Sequence, residues 1–224
     1  MEQWDPCAAV AARLLPHSGV SQAGDGAHDL DHIGRVWTNA FGIAAAEGVE
    51  TEAEREDLAA SVMLHDCVAV AKNDPRRSQA SRLAAAQAEL VLAAQSWPQD
   101  RVAGITHAIC AHSFSAGIAP QSRIARILQD ADRLDAIGMI GVARCFYTAG
   151  RMGSALYNPE DPRAERRSLD DRAYALDHFR AKLLHLQEGF QTATGRALAA
   201  ARTQLIADFM AAFEAELGMP AARV

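Results

Sequence analysis

Residues 123–147 read RIARILQDADRLDAIGMIGVARCFY, and this stretch decides the fold. Its apolar residues Ile124, Ile127, Leu128, Leu134 and Ile137 recur every three or four positions, the period of a helix with one buried face. The same run carries Asp130, Asp132 and Asp135 within about one and a half turns. Carboxylates so close repel one another, and an unpaired charge resists burial. A divalent cation removes the objection by supplying the missing positive charge. The stretch therefore predicts one long helix over 123–147 with a metal ion beside it.

The remaining segments predict further helices. Apolar positions from Trp4 to Leu15 have helical spacing and stop at Pro16, and a polar, glycine-rich loop follows over 18–26. Periodicity resumes near Asp29, with Ile33, Val36, Trp37 and Ala40 on one side. Thr51 is a good N-cap with acidic residues in the first turn after it, and that helix runs through Leu58, Val62 and Met63 to the pair His65-Asp66. Two more helices are expected over 81–94 and 98–111, with loops at 72–78 and 113–122. The stretch 150–171 reads as an exposed loop or lid. Helices over 174–190 and 194–217 close the chain. No run alternates at period two over a convincing length, so the expected class is all-α.

Composition agrees. Of 224 residues, 50% are hydrophobic but only 6% aromatic, and alanine is abundant, a balance that favours closely packed helices over strands. A net charge of −6 argues against a dedicated binder of nucleic-acid polymers, which needs a basic face. Cys7, Cys67, Cys110 and Cys145 form no CxxC pair and read as reduced thiols. With no signal peptide and no apolar stretch long enough to span a bilayer, a cytoplasmic location is the default expectation, with no membrane partner.

Three segments carry metal-capable residues: His28-Asp29-Leu30-Asp31-His32, His65-Asp66, and Asp130 to Asp135. Adjacent residues such as His65 and Asp66 point about 100° apart on a helix. Both reach one ion only if it sits over the seam between their faces, which leaves other directions for His32, for an aspartate of the third segment, and for water or substrate. Two imidazoles with two carboxylates suit manganese, iron, cobalt, nickel or zinc better than calcium. Singly, each of these residues is an ordinary surface or core group; the ordered combination carries the reading.

The order His, His-Asp, Asp resembles the signature of the HD-domain superfamily of metal-dependent phosphohydrolases. The strings GAHDLDHIGRVW, MLHDCV, HAICAHSFSAGIAP, ILQDADRLDAIGMIGVARCF, DHFRAKLLHL and TGRALAAAR look like its bacterial YedJ/YpgQ-type subgroup. The resemblance runs from about Gly26 to Phe213. It implies a single HD-type domain over 1–224, a helical bundle with its core at about 26–150 and C-terminal helices at about 172–217 packed on it. It also implies His32, His65, Asp66 and Asp132 as metal ligands. Asp132 is preferred to Asp130 because the Ala-Asp-Arg-Leu string matches the place of the superfamily's ligand, and because Asp132 shares a helix face with Leu128 and Asp135.

The activity implied is hydrolysis of a phosphoester or phosphoanhydride in a nucleotide or related small phosphate ester. Members near the subgroup include manganese-dependent nucleoside triphosphate pyrophosphohydrolases. One divalent ion is expected, manganese first, with magnesium, nickel, cobalt, iron or zinc as alternatives. Asp66 and His112 are expected to take part in the chemistry. Lys72, Arg76, Arg77, His107 and Arg133 are expected to meet the substrate's negative charge, against the plain alternative that each arginine is a solvated surface charge. His107 and His112 lie five residues apart and share a helix face poorly. Asp135 either orients a ligand histidine or forms a salt bridge. Gly24-Asp25-Gly26 is no phosphate-binding loop, since no strand precedes it and no GK[ST] follows. Two other readings stand beside this one: a di-iron oxygenase with His107 and His112 as extra ligands, and a non-catalytic nucleotide-sensing module. A homodimer is among the permitted assemblies.

Overall fold

Thr51 starts the helix that leads to the His65-Asp66 pair. Its hydroxyl oxygen accepts the Glu54 N–H at 3.2 Å and its hydroxyl donates to Glu54 Oε2 at 2.8 Å. One of the four unpaired amides of a helix start is thereby satisfied. The computed structural model describes residues 2–20, 30–70, 74, 76–113 and 116–219. Among them the regular elements are helical: α1 (Ala8–Leu14), α2 (Leu30–Ala46), α3 (Glu52–Leu64), α4 (Ala80–Ala94), α5 (Gln99–His112), α6 (Arg123–Asp135), α7 (Gly138–Met152), α8 (Ala175–Ala181) and α9 (Ala193–Glu216). The all-α expectation holds. No helix among the described residues is long and apolar enough to cross a membrane.

The chain divides into two compact units, and the division falls inside α6. The first comprises 1–132 and 191–195. There α3 packs against α1, α2 and α5, and α4 against α5. Its core is built from Leu14, Val36, Ile43, Leu58, Met63, Leu92, Ile105, Ile109, Ile127 and Leu128, all fully enclosed. Polar ties cross this core. Asn39 Nδ2 on α2 donates to the Ala131 carbonyl on α6 at 3.2 Å. Trp97 lies beneath two guanidinium groups, those of Arg13 and Arg101, at 4.8 and 5.3 Å from its ring centre.

The second unit comprises 133–190 and 196–224. Phe146, Phe179, Phe209 and Phe213 cluster within it, neighbouring ring centres lying 5.7–6.1 Å apart. The stretch 150–171 is expected to be an exposed loop or lid. Its residues beyond α7 are irregular, but side chains tie them down. Arg167 pairs with the buried Asp177 of α8, whose Oδ2 also accepts the Asp170 N–H at 2.7 Å. Arg163 donates to Glu214 Oε2 of α9 at 2.7 Å.

Three helix expectations are corrected. The single helix expected over 4–15 is a 3-10 turn at Glu2–Trp4 followed by α1, because Pro6 lacks an N–H and disfavours helical geometry at Asp5. The helix expected over 174–190 is α8 followed by a 3-10 stretch, Leu183–Gly189. The long helix expected over 123–147 breaks into α6 and α7. Ile137 is extended and Gly138 takes φ +72°, a left-handed conformation that favours glycine. Gly141 completes the break, since a Cβ there would lie 2.4 Å from the Ala136 carbonyl oxygen.

That contact is with backbone and has no flexible partner to yield. Gly141→Ala is expected to destabilise the protein by about 1–3 kcal/mol in chemical denaturation; an unchanged midpoint would show that the break tolerates a side chain.

Candidate metal centre

Residues of α2 and α6 and of the end of α3 bring two imidazoles and two carboxylates together. His32 lies in the first turn of α2 and is 1% exposed. His65 is the C-cap of α3 and is fully buried, and Asp66 follows in the turn. The doublet expected late in a helix thus sits at its C-terminal end, where the helix dipole is negative and favours a cation. Asp132 lies in the last turns of α6.

His32 Nε2 and His65 Nε2 are 3.3 Å apart. Asp66 Oδ2 lies 3.6 Å from His65 Nε2 and 3.9 Å from His32 Nε2. Asp132 Oδ1 lies 3.6 Å from His32 Nε2 and 3.9 Å from His65 Nε2. Bonds of about 2.0–2.1 Å to a central ion put tetrahedral ligand atoms about 3.3 Å apart. The observed spacings match that or lie slightly wider. Among the described residues, His32, His65 and Asp66 offer ligand atoms that all lie within 4.8 Å of one another, a group that can hold a metal.

Local chemistry makes His65 a suitable donor. Its Nδ1 is 2.8 Å from the Val62 carbonyl oxygen, which only accepts, so Nδ1 carries the hydrogen and Nε2 presents its lone pair. Burial holds the His65 pKa below the ordinary imidazole value, and the positive charge His112 and His32 would carry adds to this. Together these outweigh the pull of Asp66 and Asp132. His112 repeats the construction at the end of α5. It is buried, and its Nδ1 donates to the Ile109 carbonyl at 2.6 Å, while Nε2 faces Asp66 Oδ1 at 3.6 Å. Burial lowers its affinity for a proton, but the carboxylates of Asp66 and Asp132 and the Ile109 carbonyl prevail and push its pKa up to about 9.

Asp130 and Asp132 have different partners. Asp130 is completely buried and accepts the Gln191 N–H, the Thr192 N–H and the Thr192 hydroxyl at 2.7–2.8 Å. It anchors the turn before α9. Asp132, its carboxylate 26% exposed, faces the two histidines. Asp135 takes the salt-bridge alternative, pairing with Arg144 in the second unit.

The other described candidates have partners of their own. His107 Nε2 accepts the Gln121 N–H at 3.1 Å. Five residues before His112 on the same helix, it points about 140° away around the axis. Arg133 donates to the Gly189 carbonyl. Arg76 is exposed and makes a two-pronged contact with Asp74 through Nε at 3.1 Å and Nη2 at 2.8 Å. Lys72 and the side chain of Arg77 lie outside the described residues, as do His28 and Asp29. Sequence reasoning passed over Asn39 and Gln129. The available signal was spacing: Asn39 is two helical turns after His32, and Gln129 one turn before Asp132, polar residues on faces that carry candidate ligands.

Comparison with known proteins identifies the family. The HD domain family model matches residues 29–137, a span that includes His32, His65, Asp66, His112 and Asp132. The Bacillus subtilis protein YpgQ is 31% identical over 194 residues, which cover 85% of this chain and 84% of YpgQ. The crystal structure of YpgQ in complex with ADP is similar with a TM-score of 0.70 at 27% identity, over 93% of this chain and 95% of that one. A Lactobacillus plantarum crystal structure is similar with a TM-score of 0.69 at 29% identity, over 94% of this chain and 97% of that one. With the histidine and aspartate cluster inside the matched span and a relative aligned over most of both chains, the chain belongs to the HD-domain superfamily, alongside YpgQ.

Proposed function

We propose that this protein is a divalent-metal-dependent phosphohydrolase of the cytoplasm, acting on a nucleotide or a related small phosphate ester. His32, His65, Asp66 and Asp132 are the ligands of one ion, manganese the first candidate. One observation carries the reading: two imidazole nitrogens lie 3.3 Å apart, and each has an Asp66 oxygen and an Asp132 oxygen at 3.6–3.9 Å. The nucleotide is supported by the crystal structure of YpgQ in complex with ADP. A nucleoside triphosphate, cleaved by water to a monophosphate and pyrophosphate, is the first substrate to try.

A divalent cation bound here supplies the Lewis acidity that polarises a phosphoryl oxygen and makes water nucleophilic near neutral pH. The chain's own residues do the rest. His65 and His32 donate from a buried floor, while the partly exposed carboxylates of Asp66 and Asp132 border the open side where substrate arrives. Asp66 turns Oδ2 to the histidine pair and Oδ1 to His112, so one carboxylate links both. With Nδ1 held by the Ile109 carbonyl, the proton that His112 can give up is on Nε2. His112 uses it to hydrogen-bond a phosphate or to protonate the leaving oxygen. Lys72, Arg76 and Arg77, which follow the doublet in sequence, meet the phosphate charge.

Manganese-dependent release of phosphate or pyrophosphate is expected in a screen of nucleoside mono-, di- and triphosphates. His65→Ala and Asp66→Ala should each reduce it by at least about 100-fold. A metal-loaded protein inert toward the whole panel would end this reading.

The two neighbouring aspartates separate by role. Asp132→Asn should weaken manganese binding in calorimetric titration and leave stability nearly unchanged. Asp130→Asn should cost about 1–3 kcal/mol of stability and leave manganese affinity intact. The reverse pattern would move the ligand to Asp130.

In metal-free protein, the raised His112 pKa contributes stability that is complete below pH 6.5, the ordinary imidazole value, and is lost as the pH climbs to about 9. The lowered His65 pKa acts oppositely, its contribution lost as the pH falls below 6.5. Denaturation midpoints across pH 6–9.5 should therefore fall on the alkaline side, and His112→Gln should flatten that fall. An alkaline limb identical in both proteins would remove His112 as its cause.

A further inference from the structure

We infer that Gln129 is a positioning residue for His112, an inference that rests on the role given to His112 above. Gln129 is on α6, one turn before Asp132, and is 2% exposed. Its Nε2 donates to the Ala111 carbonyl at 2.6 Å. Ala111 is the last residue but one of α5, so that carbonyl has no partner within its own helix. The Ile109 carbonyl, another of the last four, is taken by His112 Nδ1. Two side chains therefore close the end of α5: the histidine ring itself, and an amide reaching over from the helix that carries Asp132. The amide fixes the backbone from which the ring projects, and with it the 3.6 Å approach of Nε2 to Asp66.

A second observation points the same way. Gln129 Oε1 is buried with no hydrogen-bond partner among the described residues. Rotating the amide would set its oxygen against the Ala111 oxygen, so the assignment of the two ends is fixed by chemistry. A buried acceptor without a partner is a cost that an apolar side chain of similar size would avoid. What the amide contributes at this position is its donor end, aimed at the residue next to His112.

The test uses the full chain carrying Gln129→Met, which keeps the volume and removes the donor. The first readout needs no turnover. Long-range ¹⁵N–¹H spectra of the wild type should show one sharp His112 ring signal set, with the Nδ1 hydrogen held by the Ile109 carbonyl. In the variant that set should broaden or average. The second readout is a double-mutant cycle. Gln129→Met should lower kcat about tenfold with KM and manganese affinity unchanged, and should add no further loss to His112→Gln. An unchanged His112 spectrum, or a kcat loss of equal size with and without His112, would overturn the inference. Perturbed ring signals in a protein that hydrolyses nothing would support the positioning and sink the hydrolase reading alone. If Gln129→Met does not fold, Gln129→Asn withdraws the donor by one methylene and gives the same readouts.

Discussion

Electron-rich atoms face one another across the gap between α2, α3 and α6, and the architecture of the first unit is arranged around that conflict. The Val62 carbonyl takes the one hydrogen of neutral His65 on Nδ1, so its Nε2 lone pair points toward His32 Nε2 3.3 Å away. Two carboxylate oxygens close in at 3.6 Å. A hydrogen on His32 Nε2 can satisfy one of these contacts, and positive charge among the four atoms stabilises the lone pairs and negative charges that remain. A proton serves one pair at a time; a divalent cation serves all four together.

The surrounding structure restricts alternatives to this arrangement. His65 ends α3, so its ring is aimed by the helix and its environment carries the negative end of the helix dipole. Asn39 holds α2 to the backbone beside Asp132. Asp130, two residues before Asp132, accepts three hydrogen bonds at the entry to α9. The helix face that carries Asp132 is set by the burial of Ile127, Leu128 and Ala131. Carboxylates two residues apart have divided into an anchor and a candidate ligand. The division follows which neighbours each one meets, since their intrinsic chemistry is the same.

Much of this was legible in the sequence, and the gaps have physical causes. Helical periodicity located α3 to within a residue because Thr51 caps it in the way its type favours. Periodicity could not see the break between α6 and α7. Apolar residues continue through Ile137 and Ile140 at helical spacing, whereas the break rests on the left-handed backbone of Gly138 and the close approach of Gly141 to the Ala136 carbonyl. The three aspartates of α6 were read as a set demanding a cation, although two have protein partners: the start of α9 for Asp130 and Arg144 for Asp135. Those partners are distant in sequence or unmarked by any motif. The stretch after α7, rich in charge, reads as an exposed loop or lid, and its sequence does not say what its charges meet. Its arginines meet Asp177 and Glu214, carboxylates that become buried only in the folded chain.

The central claim is that four side chains bind a single ion, and diffraction tests it most directly. Crystals grown with manganese and measured at its absorption edge should show one strong anomalous peak, about 2.0–2.3 Å from His32 Nε2, His65 Nε2, Asp66 Oδ2 and Asp132 Oδ1. Density without a peak at that point, the two imidazoles turned apart and the carboxylates paired with other residues, would contradict the account.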